Sequence, residues 1–140
     1  MIQPNDLPAQ KRPRILIVDD TRENRDIAES VLAGVECELL MAQDGVTALA
    51  VAEHRLPDLI LCDVMMPGMT GYEVVTRLRA SPATQDIPII ICTSLSDANS
   101  RGHALSVGAD VVLEKPLSRA VLLPHVQSLL ANGRNALGDD

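Results

Sequence analysis

The sequence of 140 residues contains no Phe and no Trp, and it has only one Tyr. Its hydrophobic fraction of 46% is therefore almost entirely aliphatic, and the core must consist of Val, Ile, Leu and Ala. A chain of this length can bury the core of one domain. We expect this domain at residues 14–131, between an N-terminal tail at 1–13 and a C-terminal tail or linker stub at 132–140.

Positive charge and long apolar runs are both scarce. Twelve Lys and Arg residues face nineteen Asp and Glu residues, which gives a net charge of −7. No basic cluster with interleaved aromatic residues is present, so direct nucleic-acid binding is not expected. The apolar runs are too short for a membrane span, and residues 1–14 lack the apolar core of a signal peptide. We therefore expect a cytoplasmic location.

Cysteine and histidine are too few and too scattered for a metal or disulfide framework. Three cysteines make an odd number, and no pair has CxxC spacing, so the sequence predicts reduced thiols in the core. The histidines show no metal-ligand spacing and are expected at the surface of helices. These residues are Cys37, Cys62, Cys92, His54, His103 and His125.

Three continuous apolar runs each stop at a polar residue: Arg14–Asp20, Pro57–Asp63 and Pro88–Thr93. Such runs are typical of parallel strands that are buried on both faces. Two weaker strands are predicted at Glu36–Met41 and Asp110–Leu113.

Helical periodicity fills the segments between the strands. The predicted helices are Arg22–Ala33, Val46–His54, Tyr72–Ala80, Ala98–Val107, and Ser118 to about Ala131. In the first helix Ile27, Val31 and Leu32 should face inward. Pro124 should kink the last helix. Thr21 and Asp44 stand at helix N-cap positions, and Gly34 stands where the first helix should end. The alternation predicts an α/β fold, a doubly wound five-stranded parallel sheet with helices on both faces.

The predicted strands end in a set of polar residues that belong at one edge of the sheet. The three strong strands lead to Asp19-Asp20, Asp63 and Thr93-Ser94, and the fifth strand leads to Lys115-Pro116. In open parallel sheets ligands bind at the carboxyl ends of the strands. Three converging carboxylates repel one another unless a hard divalent cation binds them, which indicates Mg²⁺. A helix cap and a solvated strand end could explain each carboxylate alone, but not their coincidence.

Four segments closely resemble the receiver domain of bacterial response regulators, a family that includes chemotaxis regulators. They are Asp19-Asp20, the stretch LCDVMMPGMTGYE at Leu61–Glu73, PIIICTS at Pro88–Ser94, and Gly108-Ala109-Asp110 through Lys115-Pro116. The resemblance covers about Arg14 to Leu130. It implies a flavodoxin-like (βα)5 fold with strand order 2-1-3-4-5.

The resemblance also implies a phosphorylation site. Asp63 would accept a phosphoryl group from a histidine kinase or a phosphotransfer protein, as a carboxylate nucleophile can. Asp20, Asp63 and the Met65 backbone carbonyl would bind Mg²⁺, with Asp19 acting through water.

The remaining polar strand ends would stabilise the phosphoryl group. Lys115 would neutralise charge on its oxygens, and Thr93 would donate its hydroxyl to one of them, with Ser94 beside it. The peptide before Pro116 is usually cis in this family.

The sequence departs from the family pattern in two ways. One affects the conformational change that follows phosphorylation, and the other affects the lifetime of the phosphoryl group. Val112 stands where receivers commonly carry Tyr or Phe, and its stiff χ1 cannot supply a large rotamer motion. Met65 and Leu95, each two residues after a motif residue, are apolar and cannot orient a water molecule. We therefore expect slow autodephosphorylation.

The expected function is a phosphorylation switch in a two-component phosphorelay rather than an enzyme. A Mg²⁺-dependent phosphatase of the haloacid-dehalogenase type would need an acid at Met65 and a substrate cap. A phosphorylation-independent binding module of the same fold is the other alternative, and the intact site residues argue against it.

The sequence says less about which protein the switch acts on. Without an effector domain after residue 140, the chain is either a free-standing receiver that acts on a protein partner or a fragment of a longer regulator. An apolar strip formed by Val111, Val112, Leu113 and Leu117 is compatible with a homodimer through the fourth helix, fifth strand and fifth helix, unless these residues simply pack in the core.

Overall fold

The computed structural model describes residues 12–95 and 97–134, in which five strands alternate with five helices. The strands are β1 (Arg14–Val18), β2 (Glu38–Ala42), β3 (Leu59–Cys62), β4 (Ile89–Thr93) and β5 (Val111–Glu114). The helices are α1 (Arg22–Val31), α2 (Gly45–Arg55), α3 (Gly71–Ala80), α4 (Ala98–Val107) and α5 (Arg119–Asn132). The predicted α/β alternation is confirmed.

All strand pairs are parallel, and the sheet order is β2-β1-β3-β4-β5, as the family resemblance implies. The register aligns the strand ends: Val18 lies opposite Cys62, and Thr93 lies opposite Glu114. The residues that follow these ends therefore emerge at one edge of the sheet.

The core is divided between the two faces of the sheet and is aliphatic on both. On one face α2, α3 and α4 contribute the buried residues Ala48, Ala52, Val74, Val75, Leu78 and Ala104. On the other face α1 and α5 contribute the buried residues Ala28, Leu32, Leu122, Val126 and Leu129. The β1 and β3 strands are buried on both faces, which explains why their sequences are continuous apolar runs.

The predicted caps of α1 and α2 are confirmed, since the side chain of Thr21 accepts from Asn24 N and that of Asp44 accepts from Thr47 N. Helix α1 ends at Val31, before the expected Gly34. Pro124 lies inside α5.

One inward-facing residue was predicted wrongly. The side chain of Ile27 is 41% exposed, whereas Ala28 is buried. Positions four apart lie on one helix face, and the buried stripe of α1 passes through Ala28 and Leu32, so Ile27 falls at its margin.

The cysteines are free thiols, as predicted. Burial raises the pKa of Cys92 to about 12 and also raises that of Cys62, so both remain protonated in the core. Cys37 and His125 are half-buried, whereas His54 and His103 are exposed. In the described part of the chain, no helix has the length and apolarity needed to cross a bilayer.

A buried carboxylate joins several elements at the edge of the sheet opposite the polar strand ends. Asp110 Oδ2 accepts hydrogen bonds from Arg79 Nη2 at 3.0 Å and from Ile89 N at 2.9 Å. Asp110 Oδ1 accepts from Arg134 Nε at 2.7 Å. Asn132 lies in α5, and Arg134 contacts the domain, so ordered contacts continue past residue 131, where the domain was predicted to end.

Replacing Asp110 should therefore destabilise the fold strongly. Asp110→Ala leaves two arginines and a backbone N–H without their acceptor, which should lower the free energy of unfolding by about 3–5 kcal/mol. Asp26→Ala is the control, because the exposed Asp26 forms only a 4.0 Å pair with Arg22; its effect should stay within about 0.5 kcal/mol. Equal urea midpoints for the two variants would contradict this account.

Candidate functional site

Three carboxylates converge at the carboxyl ends of β1 and β3. Oxygen atoms of Asp19, Asp20 and Asp63 all lie within 4.8 Å of one another. The sheet extends into this site, because Asp63 N donates to Val18 O at 2.9 Å and Asp19 N donates to Ala42 O at 3.1 Å. The predicted convergence is therefore a direct result of the strand register.

Lys115 supplies the ammonium group of the site. Its backbone N donates to Thr93 O at 2.8 Å, which fixes the turn after β5, and the Lys115–Pro116 peptide is cis, as the resemblance implies. The Nζ atom lies 2.7 Å from Asp19 Oδ2 and 3.4 Å from Asp63 Oδ1. Burial acts to lower the pKa of Lys115, but the bond to Asp19 and the charges of both carboxylates raise it overall, so the group stays cationic.

Asp63 is only 8% exposed. Its Oδ1 accepts a hydrogen bond from Val64 N at 2.8 Å and also faces Lys115, whereas no described residue donates to Oδ2. Burial raises the pKa of Asp63, Lys115 acts to lower it, and the nearby Asp19 carboxylate raises it. A further cation would favour the ionised carboxylate.

The donor set fits Mg²⁺. Three carboxylates face one ammonium group, and hard oxygen donors are the ligands that this ion prefers. Asp19 is already occupied, since Oδ2 holds Lys115 and Oδ1 accepts hydrogen bonds from α1 and its N-cap. The carboxylates left to bind an ion directly are those of Asp20 and Asp63.

The loop from Val64 to Thr70 is held against the site by the start of α3. Gly71 N donates to Val64 O at 2.9 Å, and a Cβ at Gly71 would overlap the carbonyl oxygen of Asp63. Thr70 and Glu73 form a capping box that fixes the first turn of α3. This role of Gly71 was not predicted from the sequence, although the glycine lies within the receiver-like stretch Leu61–Glu73.

Thr93 is buried at the end of β4, and its hydroxyl accepts a hydrogen bond from Leu95 N at 3.0 Å. Ser94 and Lys115 line the same cavity as Asp19 and Asp63. The predicted phosphoryl-stabilising residues are therefore close together, and Thr93 links the site to the loop that precedes α4.

At position 112 the chain has a valine instead of the aromatic residue that receivers commonly carry there. It is buried in the core, and Leu95 and Tyr72 pack against the same cluster. The Tyr72 ring instead contacts the His103 ring edge-on, with centroids 4.3 Å apart, between α3 and α4. The ring of Tyr72, the only Phe, Tyr or Trp side chain of the sequence, therefore lies between α3 and α4.

Helix α1 and its N-cap contribute contacts to Asp19 that were not predicted from the sequence. Asp19 Oδ1 accepts hydrogen bonds from Thr21 N at 3.1 Å, Thr21 Oγ1 at 3.4 Å and Asn24 Nδ2 at 3.3 Å. Arg25 Nη1 donates to the backbone carbonyl of Asp19 at 2.8 Å. The only signal in the sequence was the helical spacing of these residues after Asp20.

A cavity of about 330 Å³ opens beside the carboxylates, between α1 and the turn after β5. Ile17, Leu61 and Cys92 line it, and each lies two residues before a polar strand-end residue. Alternate residues of a strand point to the same face, so the apolar wall and the polar rim share one side of the sheet.

Comparison with known proteins agrees with this geometry. Residues 15–127 match the response regulator receiver domain family. The response regulator PleD of Caulobacter vibrioides is 43% identical over 116 residues, which cover 83% of this chain and 26% of that protein. The phosphate regulon transcriptional regulatory protein PhoB of Pseudomonas aeruginosa is 41% identical over 118 residues, covering 83% of this chain and 51% of PhoB. The chain thus spans about a quarter to a half of the length of these relatives.

Solved structures show the same architecture. The chemotaxis protein CheY4 of Vibrio cholerae superimposes with a TM-score of 0.77 at 33% identity, over 83% of this chain and 97% of that one. The receiver domain of the Francisella response regulator 1452 gives a TM-score of 0.76 at 28% identity, over 85% of this chain and 97% of that one.

Two glycines test the contact that holds the site loop. Gly71→Ala forces a methyl group against the Asp63 carbonyl, which should lower the free energy of unfolding by about 1–3 kcal/mol. Gly102→Ala is the matched control, because outside the adjacent turns of α4 no atom lies within 4 Å of a Cβ at this position; it should raise stability by up to about 1 kcal/mol. Urea unfolding measures both, and equal effects would rule out the close approach at Gly71.

Proposed function

Because the chain belongs to the receiver-domain family of response regulators, whose function is phosphorylation-dependent signalling, we propose that it is a switch that accepts a phosphoryl group on Asp63. The phosphodonor is a histidine kinase or a phosphotransfer protein. The observation that carries this proposal is the environment of Asp63: Oδ2 faces no donor among the described residues, and the Lys115 ammonium lies 3.4 Å from Oδ1.

The proposed cofactor is Mg²⁺. Receiver domains typically bind this ion at a cluster of aspartates such as the one formed here by Asp19, Asp20 and Asp63. Asp20, Asp63 and the Met65 carbonyl are its proposed ligands, with Asp19 acting through water. When bound, the ion neutralises charge on the phosphoryl oxygens.

The protein residues then divide the work of phosphoryl transfer. Asp63 Oδ2 attacks phosphorus, and the bond from phosphorus to the donor breaks with its electrons leaving on the donor. Lys115 stabilises the negative phosphoryl oxygens. The Thr93 hydroxyl, which accepts from Leu95 N, still has its own proton to donate to a phosphoryl oxygen, and Ser94 lies beside it.

The conformational effect of phosphorylation should be transmitted to the protein surface through the loop between Thr93 and α4. The proposed output face is formed by α4, β5 and α5, and its target is a downstream protein, a C-terminal effector domain or a second copy of the chain. Val111 and Val112 are buried, and Leu113 and Leu117 are half-buried against the core. The exposed large apolar side chains on α4 and α5 are Leu105 and Val121. Since a histidine kinase signals inside the cell, we infer a cytoplasmic location.

The two alternatives have less support. A phosphatase would need an acid two residues after the nucleophile, where this chain has Met65. A phosphorylation-independent module would not need the Lys115 contacts to Asp19 and Asp63.

Asp63→Asn tests the phosphoryl acceptor. Incubated with acetyl phosphate and Mg²⁺, the wild-type chain should gain the mass of one phosphoryl group, whereas Asp63→Asn should gain none, because an amide is not a competent nucleophile. Asp58→Asn, a substitution at an exposed position, is the control and should be phosphorylated normally. An adduct on the Asp63→Asn chain would contradict the assignment.

The lifetime of the phosphoryl group tests the roles of Met65 and Leu95. Met65 is 61% exposed and apolar, so it cannot align a water molecule for hydrolysis. Leu95→Glu or Met65→Asn should shorten the half-life severalfold, as followed by the decay of the phosphorylated mass. A wild-type half-life of seconds would show that the apolar pair does not slow hydrolysis.

A further inference from the structure

The orientation of the Asp19 carboxylate depends on α1. The backbone of Asp19 is fixed on both sides, since its N–H donates to Ala42 O at 3.1 Å and its carbonyl accepts from Arg25 Nη1 at 2.8 Å. The remaining freedom is rotation of the side chain. The donors to Oδ1, from Thr21 and Asn24, decide where Oδ2 points.

Asn24 lies on the inward side of α1, four residues before the buried Ala28, and it lines the cavity beside the carboxylates. Its Nδ2 lies 3.3 Å from Asp19 Oδ1, while Asp19 Oδ2 lies 2.7 Å from Lys115 Nζ. A chain of contacts therefore runs from α1 through Asp19 to the ammonium group that faces Asp63.

From these contacts we infer that Asn24 is a positioning residue, whose amide holds the Asp19 carboxylate in the orientation that keeps Lys115 beside Asp63. Asn24 would act through Asp19 and Lys115 rather than on the phosphoryl group itself. Thr21 contributes to the same orientation, but it also caps α1, so its replacement would disturb the helix as well. Asn24 separates the positioning effect from the cap, because only its backbone N–H takes part in capping.

The sequence offers a direct readout, because Lys11 and Lys115 are the only lysines. Brief acylation with an amine-reactive ester, followed by peptide mass spectrometry, gives the ratio of Lys115 to Lys11 modification. Asn24→Ala removes the amide and should raise this ratio about threefold to tenfold, the effect expected for the loss of one hydrogen bond. Asn24→Leu keeps the side-chain size and should behave in the same way.

Val31→Ala is the control for a general loosening of α1. Val31 packs against the core on the α1 side of the sheet, and the hydrogen bonds to the Asp19 side chain come from Thr21, Asn24 and Lys115 instead. Its replacement should leave the acylation ratio unchanged. A ratio within about twofold of the wild type for both Asn24 variants, or an equal rise in Val31→Ala, would overturn the inference, since one hydrogen bond should exceed that margin.

A second measurement links Asn24 to phosphoryl transfer and rests on the proposed function. With acetyl phosphate and Mg²⁺, Asn24→Ala should slow the phosphorylation of Asp63 about threefold to tenfold. In a Lys115→Ala background the same change should have no further effect, because Lys115 is the group that Asn24 positions. Equal losses in both backgrounds would overturn the inference.

The two measurements separate the two possible failures. If the wild-type chain takes no phosphoryl group, the proposed function fails, while the acylation ratio still decides whether Asn24 positions Lys115. If phosphorylation proceeds and the acylation ratio does not change, the inference about Asn24 fails and the proposed function stands.

Discussion

The structure depends on one electrostatic constraint: three carboxylates are brought together at a sheet edge where, among the described residues, Lys115 is the one ammonium group that contacts them. Oxygens of Asp19, Asp20 and Asp63 lie within 4.8 Å of one another, and Lys115 contacts two of these residues. Partial burial strengthens each interaction, because the effective dielectric constant is lower than in water. The remaining negative charge makes the site suited to a divalent cation and to the transfer of a charged group.

The fold satisfies this constraint with rigid elements. The parallel register of β1, β3, β4 and β5 aligns their carboxyl ends at one edge of the sheet. The aliphatic layers on both faces of the sheet hold these strands in place. Helix α1 orients Asp19, while the close approach of Gly71 fixes the loop after Asp63. At the opposite edge, Asp110 joins Arg79 of α3, Ile89 of β4 and Arg134. This structural contact therefore lies away from the carboxylates of the site.

Much of this arrangement could be predicted from the sequence. Continuous apolar runs ending in Asp19, Asp63 and Thr93 indicate buried parallel strands, and parallel strands place their ends together. The strand order came from the family resemblance. The contacts of Asn24 and Asp110 were not predicted, because they join residues whose proximity depends on tertiary packing. Ile27 was predicted inward from its hydrophobicity, but the smaller Ala28 fits the tight contact between helix and sheet.

Val112 stands where receivers commonly carry Tyr or Phe. The sequence therefore predicts the phosphorylation site better than it predicts how phosphorylation changes the surface that binds a target. The residues around Asp63 lie within contact distance of one another, whereas the single aromatic ring lies between α3 and α4, against His103. The assignment of Asp63 as the phosphoryl acceptor can be tested by peptide mapping of the chain after incubation with acetyl phosphate, with and without Mg²⁺. We expect one phosphoryl group, on the peptide that contains Asp63, and only when Mg²⁺ is present. Modification of a different residue, or none at all with Mg²⁺, would contradict it.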